Sequence, residues 1–367
     1  MLESWTHTAL AQQLVFGAGS LDRLPAVLKG IGARRAMLVT TAGRLASPDG
    51  ERVVQLLGRS LETTFAEVES HVPVPLVHQA VLQARRDAVD AVVSFGGGSC
   101  ADLGKAVCFF VEQEAGMPGA THLDRPVLPH VSIPTTYSGA ELTPFFGMTD
   151  PATRQKQGAG GPTSSPVVAI YDPDLTASTP PRVLAETGMN ALAHCVEAAY
   201  SPHRTPEAEA IALAGARTIH SALPAVVIDP ANALARSAML EGAAMAGRCL
   251  LNAGMGVHHG LAQLVGGRTG IPHGLANAIL LTHAIAFNVP AATDEVARLS
   301  AALGDDAAAA VDTLRAGIGL PGRLSEVGVE EGDLAAIARL SQSNANVGRN
   351  PRPVSEADAL AILQAAY

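Results

Sequence analysis

The first half of the chain carries short apolar runs separated by stretches with helical spacing. The run at 36–41 is continuous rather than alternating, which is typical of a parallel strand that is buried on both faces, and further strands are predicted at 91–95 and 127–133. Between the first two runs, apolar positions recur every three or four residues over 75–88, which predicts a helix. Because strands and helices alternate at this spacing, we predict βαβ units around a mostly parallel sheet.

Shorter strand-like runs at 14–16, 63–68 and 167–171 complete the predicted sheet. After Pro180 and Pro181 the pattern changes to long helices rich in Ala and Leu, with no further clear strand. The chain therefore divides into an α/β part and a helical part.

The segment 150–165 is rich in Gly, Pro, Thr and Gln, and we interpret it as a domain boundary or a mobile loop. We therefore predict an N-terminal α/β domain at 1–158 and an all-α C-terminal domain at 159–367. Both lengths are ordinary for a domain that buries its own core.

Composition narrows the possible partners. The 367 residues are 48% hydrophobic and 16% charged, and the net charge of −9 is spread along the chain without blocks. Nucleic acids and anionic membranes need clustered Lys and Arg, so we expect neither as a partner. No signal-like start and no apolar run of about 18 residues is visible. The four cysteines form no CxxC pair, so we expect reduced thiols in a cytoplasmic protein. A homodimer is a separate expectation.

The sequence Gly96-Gly97-Gly98-Ser99 lies where a predicted buried strand ends and a helix at 102–110 begins. Glycines let the backbone approach a ligand closely, and free N–H groups at a helix start favour an anion such as a pyrophosphate. The spacing matches neither the GxGxxG fingerprint nor a Walker A loop, and a plain turn is the alternative. Hydroxyls follow the neighbouring strand at Thr135, Thr136 and Ser138.

Histidines form the second constellation. Asn190 and His194 are four residues apart, so both face one side of a helix that we expect to begin near Thr187. His259 and His273 are separated by a Gly-rich break, which predicts two consecutive helices. Imidazoles that converge from separate helices are typical of metal sites in helical domains. The alternative is that each histidine is an ordinary hydrogen-bonded residue.

Several motifs together resemble the iron-containing alcohol dehydrogenase superfamily and, within it, the maleylacetate reductase branch. They cover nearly the whole chain. The superfamily motifs are Gly96-Gly97-Gly98-Ser99-x-x-Asp102-x-x-Lys105, Pro134-Thr135-Thr136-x-Ser138-Gly139-x-Glu141, Gly188-x-Asn190-Ala191-x-Ala193-His194-x-x-Glu197 and His259 with His273-Gly274. The branch motifs are His258-His259, Tyr171-Asp172-Pro173, Ala284-Ile285-Ala286-Phe287-Asn288-x-Pro290-Ala291 and Asn350-Pro351-Arg352-Pro353.

The resemblance implies a dehydroquinate synthase-like fold, in which a dinucleotide-binding α/β domain precedes a helical catalytic domain. It also implies a set of residues that hold NADH or NADPH: Gly97, Gly98, Ser99, Asp102, Thr135, Thr136 and Ser138. Thr40 ends a predicted strand, and neither it nor Thr41 has an acidic neighbour in sequence. An acidic residue there often selects NAD, so we add Thr40 to the cofactor residues and expect both cofactors to be used.

Two positions depart from the metal-dependent members of the superfamily. Asn190 stands where those enzymes have Asp, and Gln263 stands where they have a second His four residues after His259. An anionic ligand offsets the charge of a bound dication, and an amide does not. We therefore expect the metal to be absent; if one binds, the expected ligands are His194, His259 and His273.

The implied reaction is the NAD(P)H-dependent reduction of the enone double bond of maleylacetate to 3-oxoadipate, in the catabolism of hydroxyquinol-type aromatic compounds. We expect protonated imidazoles of His259 and His273 to bind the enolate oxygen and to donate the proton, with His194 and Asn190 orienting the substrate. Basic residues that could contact the substrate carboxylates are Lys156, Arg349 and Arg352.

Three alternatives stay open at this point. The first is a metal-dependent alcohol dehydrogenase or aldehyde reductase of the same superfamily. The second is a lyase of the dehydroquinate synthase type, which holds NAD without net redox change. The third is a binding protein on the same scaffold without catalytic activity.

Overall fold

The structure is a computed structural model that describes residues 4–116, 126–152 and 155–367. Ala9–Thr179 forms one compact unit, which we call the sheet unit. Pro180–Tyr367, with the described residues before Ala9, forms a second, the helical unit. The boundary falls at 179/180 and not at the predicted 158/159, because the strand that follows residue 158 belongs to the sheet.

The sheet unit is built on six parallel strands in the order β1-β8-β5-β4-β2-β3. A separate antiparallel hairpin is made by β6 and β7. The strands are β1 (Gln13–Phe16), β2 (Ala36–Val39), β3 (Leu61–Phe65), β4 (Ala91–Gly96), β5 (His130–Pro134), β6 (Phe145–Asp150), β7 (Gln155–Gly160) and β8 (Val168–Tyr171).

Helices cover both faces of this sheet. Alternate side chains of a strand point to opposite faces, so Met37 and Val92 enter one apolar core while Leu38 and Val93 enter the other. This two-sided burial explains why the strands are continuously apolar in sequence. The helices are α1 (Leu24–Gly30), α2 (Ala42–Leu45), α3 (Pro48–Leu57), α4 (Val74–Arg86) and α5 (Gly98–Glu114).

The hairpin of β6 and β7 was not predicted. Its second strand lies inside the segment 150–165, which we had interpreted as a boundary or mobile loop. The fully buried Lys105 of α5 holds the start of the hairpin, because its ammonium group donates to the carbonyl oxygens of Ala140 and Phe145. The polar composition of the segment belongs to β7, whereas Phe146 and Met148 of β6 are buried in the core of the sheet unit.

The helical unit contains nine helices among its described residues. The prediction of a helical second domain is thus confirmed. The helix that carries Asn190 and His194 is α6, which begins at Pro181 and not near Thr187. Thr205 caps the next helix, because its side chain accepts a hydrogen bond from the Ala208 N–H. The helices are α6 (Pro181–Tyr200), α7 (Pro206–Ile228), α8 (Ala233–Leu251), α9 (Val257–Thr269), α10 (His273–Asn288), α11 (Thr293–Leu303), α12 (Ala307–Gly317), α13 (Glu331–Ser341) and α14 (Glu356–Ala365).

Two segments, Pro206–Ile228 and His273–Ala291, are long and apolar enough to cross a membrane by length and composition alone. Core helices of a helical bundle pass the same test. Within the helical unit, α10 packs against α6, α9 and α12, and α7 packs against α6 and α8. Packing inside the bundle accounts for the apolar composition of α10, and the absence of a membrane partner stays a prediction.

Candidate active site

Gly96-Gly97-Gly98-Ser99, which we call the glycine loop, lies at the end of β4 at the carboxyl edge of the sheet. This edge position is next to the point where the strand order reverses between β2 and β4. Ligands of open parallel sheets bind at such a point. Gly97 is the N-cap of the seventeen-residue helix α5 and has no side chain to cap it. The first N–H groups of α5 are therefore directed toward any anion bound there.

The hydroxyl residues after β5 lie against this loop. A Cβ atom built on Gly97 would lie 3.3 Å from Thr136 Cγ2, and one on Gly98 would lie 3.0 Å from Ser138 Oγ. The hydroxyls of Thr135 and Thr136 are buried and have no hydrogen-bond partner among the described residues. Buried polar atoms are normally paired, so these two hydroxyls suit a bound ligand.

Two predicted cofactor residues have other partners. Thr40 is fully buried, and its hydroxyl donates to the carbonyl oxygen of Phe95 at 2.7 Å, so this side chain joins neighbouring strands. Asp102 forms an ion pair with Lys105 at 2.8 Å and accepts a hydrogen bond from the Gly147 N–H. Ser99, in the first turn of α5, is half-exposed. The Thr40 hydroxyl is thus engaged within the sheet, unlike the hydroxyls of Thr135 and Thr136, and its contact with a cofactor stays a prediction.

In the helical unit, three of the predicted histidines come together. The rings of His194 and His259 stack with centroids 4.7 Å apart, and the His273 centroid lies 5.9 Å from that of His259. His194 comes from α6, His259 from the first turn of α9, and His273 from the first residue of α10. Three helices therefore present one imidazole each to a common place.

Sequence reasoning missed a second amide at this place. Asn277 of α10 is fully buried, and its side-chain N–H donates to Asn190 Oδ1 at 2.7 Å. The same residue accepts a hydrogen bond from His258 Nε2 at its backbone oxygen, at 2.9 Å. The only signal for it in sequence is its position four residues after His273, which places both on one face of a helix.

Glu197, one turn after His194 on α6, is also buried here. Burial by itself would raise the pKa of Glu197, but the neighbouring His258 and His259 outweigh that effect and hold its pKa below the usual range. Burial, followed by the proximity of His259, lowers the pKa of His194 well below its usual value. Glu197 is therefore ionised and His194 is a neutral imidazole at physiological pH.

The imidazoles of the cluster are suitable ligands for a divalent metal. Neutral imidazoles are metal ligands, and the buried His194 Nδ1 has no hydrogen-bond partner among the described residues. A different trio, Glu197, His258 and His259, has its ligand atoms within 4.8 Å of one another. The atoms of that trio are already used in hydrogen bonds, so we interpret it as a support for the site and not as a metal centre.

The other residues considered from the sequence lie as follows. Arg352 stacks over Phe287 at 3.9 Å and pairs with Asp358, so its guanidinium already has protein partners, and its contact with a substrate stays a prediction. Arg349 is exposed, and the Lys156 side chain lies outside the described part of the chain. Gln263 accepts a hydrogen bond from Asn346 at 3.2 Å, which holds its amide on the next turn of α9 after His259.

Comparisons with known proteins identify the family of the chain. The family model described as "Iron-containing alcohol dehydrogenase" matches residues 11–173, and the one described as "Fe-containing alcohol dehydrogenase family, C-terminal" matches residues 184–367. A maleylacetate reductase from Rhizobium sp. is 34% identical, with 100% of this chain and 98% of the relative covered. One from Burkholderia cepacia is 35% identical, with 99% and 97% covered. The crystal structure of maleylacetate reductase from Agrobacterium tumefaciens superposes with a TM-score of 0.88 at 34% identity, covering 100% of this chain and 98% of that one.

Proposed function

The chain belongs to the iron-containing alcohol dehydrogenase family and is an oxidoreductase, and we propose that it reduces the carbon–carbon double bond of maleylacetate to give 3-oxoadipate. The observation that carries the proposal is the cluster of His194, His259 and His273 in the helical unit. The names of full-length relatives supply the substrate class.

The family uses a nicotinamide cofactor, and we propose that the sheet unit binds it through the α5 N-terminus and the hydroxyls of Thr135 and Thr136. NADH and NADPH are both candidates. An acidic residue does lie beside this strand end in the fold, because the backbone of Glu67 pairs with that of Thr41. Steady-state rates with each cofactor decide the preference.

A bound nicotinamide would supply a hydride for the alkene carbon β to the ketone. The resulting enolate needs a donor at its oxygen and a proton at the adjacent carbon. We propose His259 and His273 for these two roles. His194 is held neutral by burial, so it orients the substrate together with Asn190 and does not supply a proton.

The expectation that no metal binds is not supported, since the family is described as iron-containing. His194, His259 and His273 would hold a divalent ion, with Asn190 beside them as a neutral neighbour. Such an ion supplies a Lewis acid for a carbonyl oxygen. The proton-handling roles proposed above stay with the chain's own residues.

The proposal is tested by NAD(P)H consumption with maleylacetate and with simple aldehydes, each measured with and without added Fe²⁺ or Zn²⁺. We expect turnover of maleylacetate to exceed that of every aldehyde. Turnover of aldehydes alone would assign the chain to the alcohol dehydrogenase alternative.

We further propose that the enzyme is a cytoplasmic homodimer that acts in the catabolism of hydroxyquinol-type aromatic compounds.

A further inference from the structure

The buried carboxylate of Glu197 lies at the start of α9. Its Oε1 accepts hydrogen bonds from the backbone N–H groups of Gly256 at 3.0 Å and His258 at 3.1 Å, and its Oε2 accepts from the His259 N–H at 3.3 Å. Gly256 is the N-cap of α9 and has no side chain for this purpose. Glu197, from a different helix, therefore takes the place of a capping residue and complements the helix dipole.

The same carboxylate also contacts the ring of His259. His259 Nδ1 lies 2.7 Å from Glu197 Oε2. An ionised carboxylate can only accept hydrogen bonds, so Nδ1 of the neutral ring must carry the proton. The lone pair of the ring is then on Nε2, which is the atom turned away from Glu197.

His258 leads to the same assignment by a separate route. Its Nε2 lies 2.9 Å from the backbone oxygen of Asn277, which can only accept, so Nε2 carries the proton of that ring. His258 Nδ1 is then an acceptor, and it lies 3.2 Å from His259 Nδ1. Both neighbours of His259 Nδ1 are therefore acceptors, and both require a proton on that atom.

We infer that Glu197 is a positioning residue, which fixes the tautomer of His259 and the position of the α9 start so that Nε2 of His259 meets the substrate or its bound ion. The inference rests on the proposed function, because it takes His259 as a residue of the reacting site. Its content for the chemistry is that the uncharged form of His259 presents the lone pair of Nε2 to the site. Before it can donate a proton from Nε2, the ring must first gain one.

The decisive substitution is Glu197→Gln. The amide oxygen will stay at the position of Oε1, where two backbone N–H groups donate, and this places the amide N–H₂ against His259 Nδ1. Nδ1 must then accept, so the proton of His259 moves to Nε2. We expect ¹⁵N NMR of histidine-labelled protein to show this switch, with the His259 signals assigned by their loss in His259→Ala. The kcat/KM is expected to fall about 10- to 100-fold, as for outer-shell partners of ligating histidines.

Glu112→Gln is the matched control, because Glu112 is a buried glutamate of the sheet unit whose partner is the hydroxyl of Thr163. It should leave the His259 tautomer and kcat/KM unchanged. A folded Glu197→Gln protein whose His259 keeps the proton on Nδ1 would overturn the inference, since a purely structural role lowers Tm without moving that proton.

The wild-type spectrum decides the matter even where the variant does not fold. A neutral His259 with its proton on Nε2 in the wild-type protein contradicts the inference. This readout needs no turnover, so a protein that fails to reduce maleylacetate removes the proposed function and leaves the tautomer of His259 to be determined on its own.

Discussion

At the scale of single residues, contacts within the site restrict the protonation states and the hydrogen-bond partners of its side chains. Burial holds His194 neutral, and the contact with Glu197 determines which ring nitrogen of His259 carries a proton. Asn190, which stands where the metal-dependent relatives are expected to have Asp, is paired with the amide of Asn277. Together, these contacts place hydrogen-bond donors and acceptors in defined positions around the ionised carboxylate of Glu197.

Removing either proposed catalytic imidazole should impair the chemical step. We expect His259→Ala and His273→Ala each to lower kcat by about 10²- to 10⁴-fold, the range for a positioned acid or base, with cofactor affinity nearly unchanged. Stopped-flow turnover and NADH fluorescence titration measure the two quantities. His203→Ala, an exposed histidine of the helical unit, is the control. Unimpaired turnover in both variants would remove these residues from the mechanism.

A methyl group on the glycine loop should weaken cofactor binding. In Gly98→Ala the new Cβ would lie 3.0 Å from Ser138 Oγ and 3.1 Å from Ser138 Cβ, so Ser138 or the loop must shift. We expect the Kd for NADH to rise about tenfold, equivalent to about 1.4 kcal/mol. Gly30→Ala, where a Cβ meets open space, should bind NADH like the wild type. Equal NADH affinity in both variants would place the cofactor elsewhere.

At the scale of elements, the start of α9 is held by two side chains that come from far away in sequence. Glu197 accepts from Gly256, His258 and His259, and Asn350 Oδ1 accepts from the Val257 N–H at 3.1 Å. Asn350 belongs to one of the closing motifs seen in the sequence. Its role here is to cap the helix that carries His259.

Gly256→Ala tests this capping arrangement. The added Cβ would lie 2.7 Å from Asn350 Oδ1 and 3.0 Å from Glu197 Oε1, so at least one capping group must move. We expect a loss of about 1–3 kcal/mol in the free energy of unfolding, as for overpacking elsewhere, measured by urea denaturation. Gly332→Ala, at an open position in α13, should be neutral or slightly stabilising. A fully stable Gly256→Ala protein would contradict the arrangement.

His130, the first residue of β5, should make the free energy of unfolding depend on pH. Burial, with the nearby Lys105 as a second cause, lowers the pKa of His130 to about 3. The unfolded chain binds this proton near its ordinary pKa and the folded chain does not, so acid favours unfolding. Stability should therefore fall as the pH drops from about 6.5 toward 3, by up to about 1.4 kcal/mol per pH unit for this one group.

Urea denaturation between pH 7 and pH 4 measures this dependence. His130→Gln lacks the titrating group and should lose less stability over the same interval than the wild type. The comparison subtracts the contributions of all other carboxylates and histidines, which the two proteins share. Parallel stability curves for the two proteins would show that His130 titrates normally in the fold.

At the scale of the whole molecule, the two candidate sites lie in different compact units. The sheet unit carries the glycine loop and has an apolar core on each face of its sheet. The helical unit carries the imidazole cluster and buries its own apolar side chains. Equilibrium unfolding of a chain with two compact units is not expected to follow a single two-state transition. All four cysteines are buried and free, in agreement with the prediction of reduced thiols.

Cofactor binding should stabilise the intact protein by mass action. At an NADH concentration of 100 times its Kd, the linkage amounts to about 2.7 kcal/mol, which raises Tm. Differential scanning calorimetry with and without NADH measures the shift, and Gly98→Ala at the same NADH concentration should show a smaller one. A Tm that does not respond to NADH in the wild-type protein would argue against cofactor binding to the folded state.

Much of this molecule could be predicted from local pattern. Continuous apolar runs identified the parallel strands, and the change to helical periodicity near residue 180 identified the helical unit. The hairpin of β6 and β7 was missed because β7 is polar and rich in glycine, so it lacks the apolar signal of a strand, although Phe146 and Met148 of β6 are buried. The domain boundary was placed too early because the same polar segment is typical of a linker.

The sequence by itself determined the family, the parallel sheet and the identity of the histidines, because local periodicity and short motifs report burial and backbone conformation. Only the tertiary structure decided what those residues do. It paired Glu197 with a histidine 62 positions away, engaged the Thr40 hydroxyl within the sheet and used Arg352 to stack on Phe287. Hydrogen-bond partners, tautomers and charge states depend on contacts between distant segments, and no local pattern encodes them.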